Sequence, residues 1–340
     1  MEGMLAGIAR RSKASGEIVV PAVPALLDHY LDMLDTQFTS LGRRFSEEEL
    51  AKLRSLLERK LEEGFGVSPH STVHVRYETD APPSFGINYA VAMAPSTIEG
   101  EYALWVAMRP PPYFGKNPDK KLMHLAEKLV PPARSPCLDV GAGTGRNTFP
   151  LARRGHPVDV VELSPALAAI LERDARKEEL PVRVHRGSVL SDAVVLPSSY
   201  YGLIVAAEVT SHFRGLEDLR RFYVRLADVL SEEGVALVQV FVPAENVRPD
   251  EATRQLSQTF WSTLFTYDDL REAASGLPLR LESDESVVDY EKMHTLPAEW
   301  PPTPWYEGWT SGHDLFGNHG ATAPMNLRWL VYRRTSDTRE

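Results

Sequence analysis

The segment 137–165, CLDVGAGTGRNTFPLARRGHPVDVVELSP, holds the densest set of residues able to do chemistry. An apolar run ends at Asp139. Gly141, Gly143 and Gly145 then alternate with Ala142 and Thr144 before a helical pattern begins. Glycine lets a chain turn sharply after a strand and lets a ligand lie against bare main chain. The helix that follows offers N–H groups that its own hydrogen bonds leave unused. A dinucleotide-binding turn has the spacing G-x-G-x-x-G, because the pyrophosphate seats on the helix N-terminus. Here that third position is Arg146, and the glycine falls one residue earlier. A phosphate-binding loop ends in Gly-Lys-Ser/Thr, which this segment lacks.

Glu162 closes the next predicted strand, directly before a helix capped by Ser164 with Pro165 at its first position. A carboxylate placed there suits the two hydroxyls of a ribose, and so any adenosine-containing ligand. The spacing G-x-G-x-G, preceded by Asp139, resembles motif I of class I S-adenosylmethionine-dependent methyltransferases. Two later segments follow in the family's order. VRVHRGSVLS at 182–191 resembles the third-strand segment, with Gly187-Ser188 where the family usually has Gly-Asp. YYGLIVAAEVTSHF at 200–213 resembles the fourth-strand segment, with Glu208 and His212 in the places that flank the methionine end of the cofactor and the substrate mouth. Gly202 stands where an Asp is more usual. GTGRNTFPLARRGHPV and the final LRWLVYRR look like the tellurite-resistance-type group of small-molecule methyltransferases.

The resemblance implies a cofactor site of Asp139, Gly141, Ala142, Gly143, Gly145, Asn147, Glu162, Leu163, Ser188, Val189 and Glu208. It implies S-adenosyl-L-methionine as cofactor and S-adenosyl-L-homocysteine as product. Displacement at the methyl group is in-line, so alignment and exclusion of water matter most. His212 is the candidate base, since an unperturbed imidazole titrates near neutrality. Tyr113, Phe114, His212, Phe213, Trp261, Trp305 and Trp309 are the expected substrate contacts. The aromatic-rich stretch 299–320 is read as a long irregular loop that walls an apolar pocket. His313, Asp314 and His319 match no metal-binding spacing, and no metal is expected.

The elements that must position these residues are legible from residue 119 onward. Helical patterns alternate with short apolar runs, which predicts an α/β fold: a doubly wound, mostly parallel seven-stranded sheet, the Rossmann-like methyltransferase fold. Strands are expected near 136–141, 157–161, 182–185, 202–207, 234–242, 279–289 and 326–333. Before this domain, 18–112 reads as an α+β N-terminal extension serving as a lid, substrate or dimerisation element. Ser46 and Glu49 form a capping box ahead of Leu50, Leu53, Leu57 and Leu61. Residues 71–79 and 87–94 alternate as strands, and 101–108 fits a strand or a short helix. Residues 1–17 show no periodicity and are expected to be disordered, and 113–340 is the expected methyltransferase domain.

The chain has 340 residues, a net charge of −10 and one cysteine. Neutralising phosphates needs clustered Lys and Arg, so this balance disfavours nucleic acid. No window is apolar enough for a signal peptide or membrane span, so a cytoplasmic location away from membranes is expected. Together these readings give a methyltransferase acting on a small molecule, with homodimerisation as a further expectation. The alternatives are a protein or RNA methyltransferase, a cyclase, or a cofactor-binding scaffold without transfer.

Overall fold

The computed structural model describes residues 3–4, 7–8, 13–80, 86–316 and 323–336. The chain divides into two compact units. One comprises residues up to Glu101 together with Asp250–Thr259, and the other comprises Tyr102–Pro249 and the residues from Phe260 onward. In chain order the elements begin with β1 (Ser15–Pro21), α1 (Leu27–Ser40), α2 (Glu47–Val67), β2 (Thr72–Thr79), β3 (Ile87–Ala94) and α3 (Ile98–Met108). Then come α4 (Lys120–Ala126), β4 (Cys137–Val140), α5 (Thr148–Arg153), β5 (Val158–Glu162), α6 (Pro165–Lys177) and β6 (Val182–Arg186). After these run β7 (Tyr201–Ala206), α7 (Leu216–Val229), β8 (Leu230–Pro243), α8 (Glu251–Thr259) and α9 (Tyr267–Ala274). The last are β9 (Leu279–Ser286), α10 (Val287–His294), α11 (Tyr306–Thr310), α12 (His313–Phe316) and β10 (Met325–Arg334).

In the first unit, β1, β2 and β3 form an antiparallel sheet in that order. The capping box at α2 is formed. The Ser46 hydroxyl accepts from the Glu49 N–H, and the Glu49 carboxylate accepts from the Ser46 N–H at 2.8 Å. Leu53, Leu57 and Leu61, four residues apart, share one helix face and bury against Leu34, Phe38, Val73 and Val75. Strand β1 takes in Ser15–Glu17, the end of the stretch expected to be disordered. Residues 1, 2, 5, 6 and 9–12 of that stretch lie outside the described residues. The 101–108 segment is helical, within α3.

The second unit carries a seven-stranded sheet in the order β6-β5-β4-β7-β8-β10-β9. Strands β6, β5, β4, β7 and β8 pair in parallel, and β10 is antiparallel to both of its neighbours. All four residues of β4 and all five of β5 are buried, because helices cover both sheet faces. Alternation along β4 sends Leu138 and Val140 into one apolar layer, with Ile204, Phe222 and Leu226. It sends Cys137 into the other, with Leu203, Leu237 and Trp329. Burial pushes the Cys137 thiol up to about 12, which keeps it a neutral apolar filler at ordinary pH. The chain winds from β4 out to β6, then returns to β7 and continues the other way. The carboxyl ends of β4 and β7 therefore flank the point where strand order reverses, and open α/β sheets bind ligands there.

Two expectations are corrected. The expected loop 299–320 is not irregular throughout, since α11 and α12 fall within 299–316 just after α10, and 317–320 lie outside the described residues. The sequence there is rich in proline and short in helical period, so helices of four to eight residues left little trace. The expected strand 279–289 stops at Ser286, whose side chain accepts from the Asp289 N–H and starts α10.

Candidate active site

The glycine turn leaves the carboxyl end of β4 with Gly141, Gly143 and Gly145 at φ of 68°, 56° and 93°. A side chain is strained at such angles. A Cβ on Gly143 would also lie 3.0 Å from the Phe114 ring, and one on Gly141 would meet the Val209 side chain at 2.6 Å. Gly141 is exposed on this turn, whereas Gly143 and Gly145 are buried, with Phe114 beside Gly143. Asp139 stays below, where its carboxylate accepts from the Thr148 hydroxyl at 2.6 Å and ties α5 to β4. Burial pushes the Asp139 carboxyl up to about 7, against the lowering effect of the Thr148 hydrogen bond.

Glu162 is 4% exposed at the carboxyl end of β5. One carboxylate oxygen accepts from the Gly143 N–H at 2.8 Å, and the other from the Ser164 N–H at 2.7 Å. Burial raises its pKa, and these main-chain donors work in the opposite direction. Three main-chain groups, of Ser164, Gly143 and Leu163, bond this carboxylate, and its roughly four lone-pair sites leave room for a further donor. This buried carboxylate meets the glycine turn at the switch point.

Residues 137–234 match the methyltransferase-domain family. No curated protein matches the chain. Among solved structures, the chain is similar to a geranyl diphosphate methyltransferase in complex with GPP and sinefungin. Identity is 16%, coverage 63% of this chain and 78% of that one, and the TM-score 0.49. It is also similar to geranyl diphosphate C-methyltransferase from Streptomyces coelicolor A3(2), solved with Mg2+, geranyl diphosphate and S-adenosyl-L-homocysteine. There the identity is 15%, coverage 71% and 94%, and the TM-score 0.47. The [4+2]-cyclase SpnF matches at 18% identity, with coverage of 64% and 80% and a TM-score of 0.43.

Around the glycine turn lies a charge network that the sequence did not announce. Arg146 donates to Asp119 at 2.5 Å and to Glu208 at 3.2 Å. Desolvation alone would lower the Arg146 pKa, but Asp119 and Glu208 hold it raised. Burial pushes Glu208 up to about 7. Glu208 sits at φ 61°, in the left-handed region, and its N–H donates to the Gln239 side chain at 3.0 Å. Glu291 accepts from the main-chain N–H groups of Lys120 and Lys121 and from the Trp329 indole; burial pushes it up to about 7. Asn147, an expected cofactor contact, turns both ends of its amide to Asp119. It braces the segment before α4 from the start of α5.

An aromatic wall adjoins this network within the second unit. Tyr102 donates or accepts at His212 Nε2 over 3.0 Å. Burial raises the Tyr102 hydroxyl well above its ordinary range, so the phenol stays protonated. Trp261 stands perpendicular to His212 at a 4.9 Å centroid distance, and Tyr102 lies 5.5 Å from Trp261. Phe114 contacts Tyr102 and Trp105, and Trp105 continues to Trp305 and then Trp309. Trp261 has φ 57°, a strained value for a bulky side chain, and its carbonyl accepts from the Trp309 indole at 3.2 Å.

The remaining expected residues fall as follows. Ala142 is buried beside the turn, and Leu163 is half-buried after β5. The Ser188 hydroxyl accepts from the Leu190 N–H within its own turn at 3.2 Å. Val189 is buried in the apolar layer with Val194 and Leu196. Phe213, expected at the substrate, faces the core instead and packs edge-on against Phe222 at 5.4 Å. Its neighbour His212 points to the aromatic wall, because a 310 turn at Thr210–His212 ends between them. Tyr113 lies near the Arg173 guanidinium on α6. His319 lies outside the described residues. Among the described residues no three His, Cys, Asp or Glu side chains converge as a metal site, and no helix is long and apolar enough to cross a membrane.

Sequence reasoning missed Tyr102, Trp105, Asp119, Arg146 and Glu291. Arg146 follows the last glycine directly, so it carried a positional signal. The others come from distant segments and had none.

Proposed function

We propose that this chain transfers the methyl group of S-adenosylmethionine to a small-molecule acceptor. The observation that carries this reading is the Glu162 carboxylate, buried at the switch point and tied to Gly143 and Ser164. The family match over 137–234 agrees with it. A buried carboxylate without a cationic partner among the described residues calls for polar ligand groups, and a ribose diol answers it. The exposed main chain at Gly141 suits the close approach of the cofactor. S-adenosylmethionine supplies an electrophilic methyl group on a sulfonium. The protein's work is then to orient the acceptor and to exclude water. Asp139 and Thr148 hold the turn, Glu162 grips the ribose, and Glu208 lies toward the methionine end. Phe114 covers the turn, and His212, steadied by Tyr102 and Trp261, lies toward the acceptor. Half-buried aromatic rings beside the turn favour a small, largely apolar acceptor over a macromolecule.

Calorimetric titration of S-adenosylmethionine and S-adenosylhomocysteine into wild type and Glu162→Ala tests this. Micromolar binding that is lost in the variant supports the reading. Folded wild-type protein that binds neither compound rejects it.

A further inference from the structure

The stretch 110–118, PPPYFGKNP, runs between α3 and α4 without regular structure. Pro110, Pro111, Pro112 and Pro118 have no N–H to donate, so four of its nine residues cannot donate to a main-chain ladder. Among the described residues, no main-chain hydrogen bond begins or ends on any of the nine. Backbone held by so few bonds belongs to the low end of local stability. One side chain in its middle acts as an anchor. Phe114 is half-buried, and its ring atoms lie 3.0 and 3.1 Å from a Cβ placed on Gly143. The same ring meets Trp105 at 5.4 Å. Gly143 is buried, on the turn that the methyl-transfer reading assigns to the cofactor. Phe114 covers that face of the turn, so a ligand that reaches Gly143 must displace the ring or slip beneath it.

The far end of the stretch is fixed. Asp119, 2% exposed, accepts from Arg146 at 2.5 Å and from the Asn147 amide at 2.8 Å, and its own N–H donates to Asn147 at 3.0 Å. Arg146 and Asn147 directly follow Gly145, so the stretch is tied down on the same turn that it covers. Hydrogen bonds between ionised groups are roughly twice as strong as neutral ones. Between this anchor and the ring stands Gly115 at φ 88°, a backbone state open to glycine and costly for other residues. Rotation about Gly115 can carry the ring off the turn while Asp119 stays in place.

We propose that residues 110–118 form a strap that gates the cofactor site. Phe114 leaves Gly143 to admit S-adenosylmethionine and returns over it, and the Asp119–Arg146 pair is the latch that sets how often this happens. The inference rests on the methyl-transfer reading above. Asp119 and Arg146 are positioning residues in this role, since they act on the cofactor through Phe114. A gate and a wall differ in their kinetics. Weakening a latch that is the same in the empty and loaded protein speeds entry and exit equally and leaves affinity where it was. Removing a wall that only touches the cofactor speeds exit alone and lowers affinity.

The test follows S-adenosylhomocysteine binding to the full chain by stopped-flow tryptophan fluorescence, with Trp105 beside Phe114 as a reporter and calorimetry for affinity. In wild type the observed rate should level off as ligand concentration rises, because opening limits entry. Asp119→Asn should raise association and release together by about ten-fold, the scale of one hydrogen bond to a charged group, with a nearly unchanged dissociation constant. Phe114→Ala removes the ring and keeps the latch, so the rate should climb linearly with concentration. Melting curves establish that each variant is folded, and Phe114→Ala carries the test alone if Asp119→Asn is not. A wild-type rate that never levels off overturns the proposal. So do variants that release the ligand faster without binding it faster. No binding to folded wild type or to Phe114→Ala would instead remove the methyl-transfer reading, and the strap with it.

Discussion

At the scale of single residues, the turn depends on positions where a side chain does not fit. Gly143 combines φ 56° with the Phe114 ring at 3.0 Å from any Cβ. Gly143→Ala should cost roughly 1–2 kcal/mol through the left-handed backbone alone, and cofactor affinity should fall with it. Urea denaturation and calorimetry on the same samples check this. Unchanged stability would mean the turn relaxes and the glycine is not required. Glu162 gives a sharper contrast. Glu162→Gln keeps one acceptor oxygen but cannot accept at both ends, so S-adenosylhomocysteine affinity should fall less than in Glu162→Ala. Equal affinity for wild type and Glu162→Gln would show that the second oxygen does nothing.

At the scale of elements, α11 acts through one indole. Trp309 donates to the carbonyls of Phe260 and Trp261 and packs edge-on against Phe241. It thereby pins the strained residue that fixes the ring beside His212. Trp309→Phe keeps the packing and removes the donor, with an expected loss of about 1 kcal/mol. Moving Trp261 away from its perpendicular contact should also shift the His212 ring proton resonances. Unmoved resonances would show that Trp261 holds its place without α11. Helix α2 is an independent control. Ser46→Ala removes one side of its capping box and should cost about 1 kcal/mol without changing S-adenosylhomocysteine binding.

At the scale of the whole molecule, three buried carboxyls set the response to pH. Asp139, Glu208 and Glu291 are each pushed by burial up to about 7 in the folded protein. In the unfolded chain such groups ionise near 4. Between these limits the folded state holds more protons, so stability falls as pH rises from about 4.5 to about 7. Above that range all three are ionised in both states and the decline ends. The ligand-free protein should therefore melt at a higher temperature at pH 5 than at pH 7.5, and Glu208→Gln should flatten part of the slope. A melting temperature that rises steadily across this interval would contradict the assignment. Much of this architecture is legible in the chain. The alternation of helices and apolar runs after residue 119 yields the parallel sheet, and Ser46, Ser164 and the glycine turn appear where their local chemistry predicts. The division between units is not legible, because it falls after Glu101, inside the helix α3, with no break in the local pattern.

The sequence by itself determined what short-range chemistry decides. Glycines at alternate positions demand positive φ, an N-cap serine starts a helix, and a carboxylate at a strand end faces the turn beside it. Asp139, the glycines and Glu162 are within 24 residues of one another, so spacing alone places them. Only the tertiary structure decided which distant groups share the site. Asp119, Arg146, Glu208 and Glu291 meet because strand order brings their segments together. Tyr102 reaches His212 across 110 residues. Phe213 turns to the core while His212 faces the aromatic wall, because the direction of a side chain after a 310 turn depends on backbone geometry that residue identity does not encode.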